Sequence, residues 1–223
     1  MSSVPRPGVG APLLRRESAI YPTRVLPLLV SKLGEERKRA ILDLGPALGV
    51  NVDFFRPWAR RLTIADFFQT LLARQEEREL AAEAPQESPE ALSSLFCELL
   101  PYDPAETPFD VVLAWDIFNY LSFEQLRALG KRLGAFCCPG SLVFALVSFQ
   151  RAIPARPRRF TIVEPGSLLY EASTAAMASA PLYEERELAR ALPDFHVEAS
   201  YILRHGMKEY LLTFEASANK LTT

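Results

Sequence analysis

The sequence predicts a doubly wound α/β fold around a mostly parallel sheet, with an antiparallel hairpin at its C-terminal end. Three observations predict it. The stretches "AILDL" (40–44), "FDVVLAW" (109–115) and "SLVFALVSF" (141–149) are apolar on both faces, as strands covered by helices on either side must be. Amphipathic helical stretches separate them. Near the end, "FHVEASYIL" and "EYLLTF" flank a glycine, the pattern of a closing hairpin. With 223 residues, 49% of them hydrophobic, the chain can bury one substantial core, and residues 17–223 are read as one domain.

The elements follow in order. Residues 1–16, rich in Pro, Gly and Ser, read as a flexible arm. From Ser18 to Leu33 apolar residues recur at helical spacing, with Pro22 in a first turn, Pro27 as a kink and Gly34 as the stop. After the strand at 40–44, "VNVDFFRPWA" opens a helix, "RLTIAD" (61–66) is a second strand and "FFQTLLARQEERELAAEA" a long helix. "PQESP" (85–89) is a loop, "EALSSLFCELL" a helix or a helix running into a short strand, and "PYDPAETP" a turn-rich connector to the strand at 109–115. "SFEQLRALGKRLGAF" is an amphipathic helix with Ser122 as its N-cap, and "CPG" turns it into the strand at 141–149. Residues 160–181 form an insertion, read as a lid, before the helix "YEERELARALP". In the following strand, alternation sets Val197, Ala199 and Tyr201 on one face and His196, Glu198 and Ser200 on the other; the chain turns near Gly206.

Composition narrows the function. A net charge of −2 offers no basic field for a phosphate backbone, so nucleic acid is not an expected partner. Cys97, Cys137 and Cys138 fit neither a disulfide framework nor zinc-ligand spacing, and no metal is expected. The N-terminus lacks an apolar leader core and no apolar run is long enough to span a bilayer, so the expected location is the cytoplasm, without membrane attachment. His196 and His205 read as exposed or structural.

The turn "DLGPALG" (43–49) carries the functional signal. In doubly wound sheets ligands bind beyond the carboxyl ends of the strands. The turn lacks the glycine spacing of a dinucleotide fingerprint and the Gly-Lys ending of a phosphate loop. An acid at Asp43 repels pyrophosphate and attracts an ammonium group. A second acid, Asp66, ends the next strand, where a carboxylate accepts hydrogen bonds from ribose hydroxyls. A nucleoside bearing an amino acid meets both demands. Two plainer readings stand beside it: Asp43 as an acid placed favourably at a helix N-terminus, and Asp66 as an N-cap.

These residues resemble the first motif of the class I S-adenosylmethionine-dependent methyltransferases, acid-x-Gly-x-Gly-x-Gly, matched at Asp43, Gly45 and Gly49 with Ala47 in place of the middle glycine. The resemblance covers residues 40–214 and implies a seven-stranded sheet with a C-terminal hairpin and S-adenosylmethionine as cofactor. It implies that Asp43 orders the methionine amine, that the turn of Gly45, Pro46, Ala47 and Gly49 lets the cofactor approach the backbone, and that Asp66 holds the ribose with Phe67 beside the adenine. Glu98, with Asp103 as a rival, takes the position near the adenine amino group. If the turn required a positive backbone angle at Ala47, its methyl would weaken binding, as would the stiffness of Pro46.

The segment "WDIFNYL" (115–121) faces the reaction centre in that family and offers Trp115, Asp116, Asn119 and Tyr120; Asp116 can hold the cofactor amine or deprotonate an acceptor. Trp115 and Phe118 read equally well as core. The run "RAIPARPRR" (151–159) places Arg151, Arg156, Arg158 and Arg159 where acceptors enter, suited to an anion, although a basic surface loop has the same composition. The implied activity is methyl transfer to a small-molecule acceptor. The alternative is a catalytically silent relative that binds a protein partner.

Overall fold

The computed structural model describes residues 18–34, 36–80, 88–105, 108–171, 176–203 and 206–216. The arm expected over 1–16, the end of the long helix and the loop over 81–87, and His205 lie outside these residues. The N-terminal half contains β1 (Ser18–Pro22), α1 (Val25–Leu33), β2 (Arg39–Asp43), α2 (Gly49–Phe55), β3 (Ala59–Ile64), α3 (Phe67–Leu80) and α4 (Pro89–Leu99). There follow β4 (Phe109–Trp115), a 3₁₀ turn at Ile117–Tyr120, α5 (Phe123–Phe136), β5 (Cys137–Ser148), β6 (Ala152–Pro154), β7 (Arg159–Glu164), β8 (Ser167–Glu171) and β9 (Met177–Ser179). The chain finishes with α6 (Glu185–Ala191), β10 (Phe195–Ile202) and β11 (Met207–Phe214).

The central sheet has the order β10-β11-β5-β4-β2-β3. β3, β2, β4 and β5 run parallel, whereas β11 and β10 are antiparallel additions. Among the described residues the sheet therefore has six strands where seven were expected. The described stretch between α3 and β4 holds α4 and then Pro101, Pro104 and Pro108, which lack the amide donors that an added edge strand needs.

Alternating side chains bury both faces of the sheet. Ala40 and Leu42 of β2, Val112 of β4 and Val143 of β5 pack with α3, α4, α5 and α6. Ile41, Val111, Leu113 and Phe144 face the other way, against α1, α2 and the pair β7–β8. Helix starts follow their caps. Ser122 accepts the Gln125 amide at 3.3 Å while the Gln125 side chain takes the Ser122 amide at 2.9 Å, and Ser88 with Pro89 opens α4.

Two expectations are corrected. Residues 18–22 form a strand, not the start of a helix: β1 pairs antiparallel with β8, and α1 begins only at Val25, which puts Pro27 in its first turn, where no intrahelical hydrogen bond is lost. Within the insertion read over 160–181, the described residues supply β7 and β8, which form a three-stranded antiparallel sheet with β1, and β9, which pairs with β6. In β10 a bulge between Val197 and Ala199 breaks the alternation, so Val197 packs toward the α5 and α6 side whereas Ala199 and Tyr201 face the α1 side. β10 and β11 pair antiparallel, and at Gly206, beside their turn, a φ of 80° favours glycine; the Gln150 side chain 2.5 Å from a would-be Cβ is flexible and could swing aside.

Candidate functional site

The site lies beyond the carboxyl ends of β2, β3 and β4, where the chain, having placed β3 on one side of β2, returns to place β4 on the other. Asp43, the last residue of β2, is buried. Its Oδ1 accepts the Gly45 amide at 2.8 Å and the indole Nε1–H of Trp115 at 2.7 Å. Burial pushes its carboxyl up to about 6; the two hydrogen bonds oppose that rise and nearby Asp66 adds to it. A Cβ on Gly45 would stand 2.8 Å from Trp115 Cδ1, so the backbone there passes the indole as closely as only glycine allows.

Among the described residues, the non-glycine positions with positive φ are Asp66 at 40° and Trp115 at 48°. Both follow or end strands at this rim, where strained backbone tends to gather at working sites. Asp66 precedes α3, and among the described residues its carboxylate takes no hydrogen bond from that helix, which leaves it available to a ligand. It lines a cavity of about 520 Å³ together with Gly45, Pro46, Phe68, Ile117 and the segment Arg156–Arg159.

That segment is pinned from several sides. Tyr120 donates its hydroxyl to the Arg156 carbonyl at 2.9 Å, and the Arg158 amide donates to Asp116 Oδ2 at 3.2 Å. Asn51 on α2 donates its amide to the Phe160 carbonyl at 2.8 Å and accepts the Ile162 amide at 2.9 Å. The Phe160 ring stacks on Trp115 at 5.7 Å, nearly parallel. Between them a cleft of about 10 Å³, room for about one water, runs from Gly45 past Asp116 to Arg158. Asp116 is fully buried; among the described residues its Oδ1 lacks a partner, and its Oδ2 lies 3.7 Å from the Arg158 guanidinium. Burial pushes its carboxyl up to about 7 despite that guanidinium.

The structure gathers Gly45, Pro46, Asp66, Trp115 and Asp116 around the two cavities, and Asp43 is buried behind them, bonded to Gly45 and Trp115. Other candidates stand elsewhere or do other work. Phe67 is buried in the core against Phe96; Phe68, one residue on, borders the cavity, because the first residue of α3 and Leu71 a turn later point inward. Glu98 is exposed on α4 and lies 3.7 Å from Arg74, while Asp103 bonds the Ala105 amide. Asn119 spends its amide on the Asp116 and Leu146 carbonyls and its oxygen on the Ser148 amide, which ties the 3₁₀ turn to β5. Arg151 is exposed and outside the cavity lining.

Ala47 and Gly49 are exposed, and neither they nor Gly45 adopts a positive φ. The condition under which the Ala47 methyl would strain the turn is therefore absent. Asn51 and Phe160 were not singled out from sequence. A polar residue on the helical face that also carries Phe55 is the one signal for Asn51.

No protein-family model matches the chain, and no curated protein matches it. Solved structures do. An S-adenosylmethionine-dependent methyltransferase from Clostridium acetobutylicum ATCC 824 superposes with a TM-score of 0.50 at 10% identity, covering 85% of this chain and 89% of that one. The PH0226 protein from Pyrococcus horikoshii OT3 does so with a TM-score of 0.50 at 11% identity, over 85% and 87% of the two chains. At these identities the likeness speaks to the fold: this chain has the methyltransferase-like α/β fold with a mostly parallel central sheet.

Proposed function

We propose that the chain is an S-adenosylmethionine-dependent methyltransferase that acts on a small-molecule acceptor. The observation that carries this reading is the pair of carboxylates beyond two adjacent parallel strands, Asp43 at the end of β2 and bonded to the glycine turn, and Asp66 just past β3 in the lining of a cavity large enough for a nucleoside. The Clostridium acetobutylicum protein, an S-adenosylmethionine-dependent methyltransferase with the same fold, supports the same reading.

The residues present fit the cofactor. Asp66 offers the ribose hydroxyls a carboxylate without a protein partner among the described residues, and Phe68 offers a ring beside it. Asp43, ionised, suits the ammonium, and Gly45 is the position where the backbone admits a close neighbour. When bound, the cofactor supplies a methyl group on a sulfonium, so the protein's task is alignment and exclusion of water. Trp115 and Phe160 wall off solvent beside Asp43. Asp116, with one oxygen unpartnered among the described residues and its carboxyl near neutrality, is placed to take a proton from an acceptor that must lose one.

Calorimetric titration with S-adenosylmethionine and S-adenosylhomocysteine tests the reading. The expected result is micromolar binding that weakens roughly tenfold or more in Asp66→Ala. Absence of heat at millimolar ligand overturns it.

A further inference from the structure

The segment that closes the cavity carries more positive charge than its surroundings use. Arg156, Arg158 and Arg159 all line the cavity, and among the described residues Asp66 is the one carboxylate in that lining, in a chain whose net charge is −2. Arg158 is committed: its Nη1 lies 3.7 Å from Asp116 and 3.9 Å from Met207 Sδ. Arg156 and Arg159 have no carboxylate within ion-pair distance among the described residues.

Their backbone is held in place by Tyr120 on the Arg156 carbonyl and by Asn51 clasping β7 at Phe160 and Ile162. An anchored backbone spares the cost of ordering the main chain, although these two exposed side chains still give up rotamer freedom, and the guanidinium fork matches a carboxylate or a phosphate. Position separates two sources for such a group. The small cleft beside Asp43, where the amino-acid end of the cofactor belongs, is bordered by the spent Arg158; Arg156 and Arg159 border only the larger cavity.

We infer that Arg156 and Arg159 bind an oxyanion, a carboxylate or a phosphate, carried by the methyl acceptor. That the carrier is a methyl acceptor rests on the methyltransferase reading above; the oxyanion site rests on the arginines alone.

The test is titration of the wild-type chain and of the double variant Arg156→Ala/Arg159→Ala with inorganic phosphate, with benzoate and with S-adenosylhomocysteine, each in a chloride buffer. Thermal melts run alongside confirm that the substitutions leave the fold intact. Saturable binding of phosphate or benzoate to the wild type is expected, weakened roughly tenfold or more in the double variant with S-adenosylhomocysteine affinity unchanged. Whichever of the two anions binds more tightly identifies the group. Absence of binding by both anions, or equal binding to both proteins, overturns the inference. A parallel loss of S-adenosylhomocysteine affinity also overturns it and assigns the arginines to the cofactor carboxylate. Oxyanion binding that depends on the arginines, without any S-adenosylhomocysteine binding, keeps the site and removes the methyltransferase reading.

Discussion

The indole nitrogen of Trp115 donates to Asp43 Oδ1 across 72 residues of sequence, at 2.7 Å, on the same oxygen that takes the Gly45 amide. One carboxylate thus joins the end of β2, the glycine turn and the end of β4. The bond also sets the acid's strength, since donors favour the charged form while burial favours the neutral one. At about 6, burial has the larger effect.

Ligand binding inherits this balance. An ammonium group prefers the ionised form, so S-adenosylhomocysteine affinity should rise as pH increases through about 6 and level off above it. Calorimetry between about pH 5 and pH 8 measures this. Asp43→Asn should bind weakly without that rise; an unchanged profile in the variant would show that another group titrates.

Folding stability should move the other way. Asp43 and Asp116 have carboxyls raised to about 6 and about 7, so the folded state holds protons that the unfolded chain has released. Their contribution is fully present below the ordinary carboxylate value and is lost as pH rises through those two values. Urea unfolding across that window should show wild-type stability falling relative to the Asp43→Asn/Asp116→Asn variant. Parallel curves would exclude the assignment.

Gly45→Ala places a methyl carbon 2.8 Å and 2.9 Å from the Trp115 ring atoms Cδ1 and Nε1. Overpacking of this kind costs about 1–3 kcal/mol, read as a lower urea midpoint, with a change in near-ultraviolet circular dichroism as the indole moves. A variant as stable as the wild type would mean that the ring has somewhere to go.

Glu209, buried on β11, accepts the amides of Arg24 at 2.8 Å and Val25 at 3.1 Å at the start of α1, a helix whose own N-cap provides no side-chain bond. Glu209→Ala strands both donors and should cost about 1–3 kcal/mol of stability by urea unfolding. Glu209→Gln keeps an oxygen acceptor and should recover most of it. Equal losses in both variants would point to charge instead of hydrogen bonding.

What could be read from sequence was what periodicity and local chemistry encode. "FDVVLAW" was delimited to the residue because both its faces are apolar, and Ser122 was identified because its cap is a three-residue affair. Asp43 and Asp66 were legible from their places at strand ends. Contacts that close over long loops were not. β1 looked helical because Ile20 and Tyr21 continue the apolar spacing of α1, yet their conformation is decided by β8, well over a hundred residues away. Asn51 is an ordinary helical residue until β7 arrives 109 residues later. Phe67 and Phe68 are chemically equal and both are buried in the core, and only the phase of α3 brings Phe68 also to the cavity wall.

In the small sheet above the α1 side, β8 lies in the middle, bordered by β7 on one flank and by β1 on the other. The roof over Trp115 is thus stitched from segments well over a hundred residues apart in the polypeptide. A chain trimmed to begin after Pro22 would leave the β8 flank with unpaired amides and carbonyls, open to a strand from another molecule. Self-association on shortening is therefore a built-in hazard of this architecture, and the first described residues guard against it.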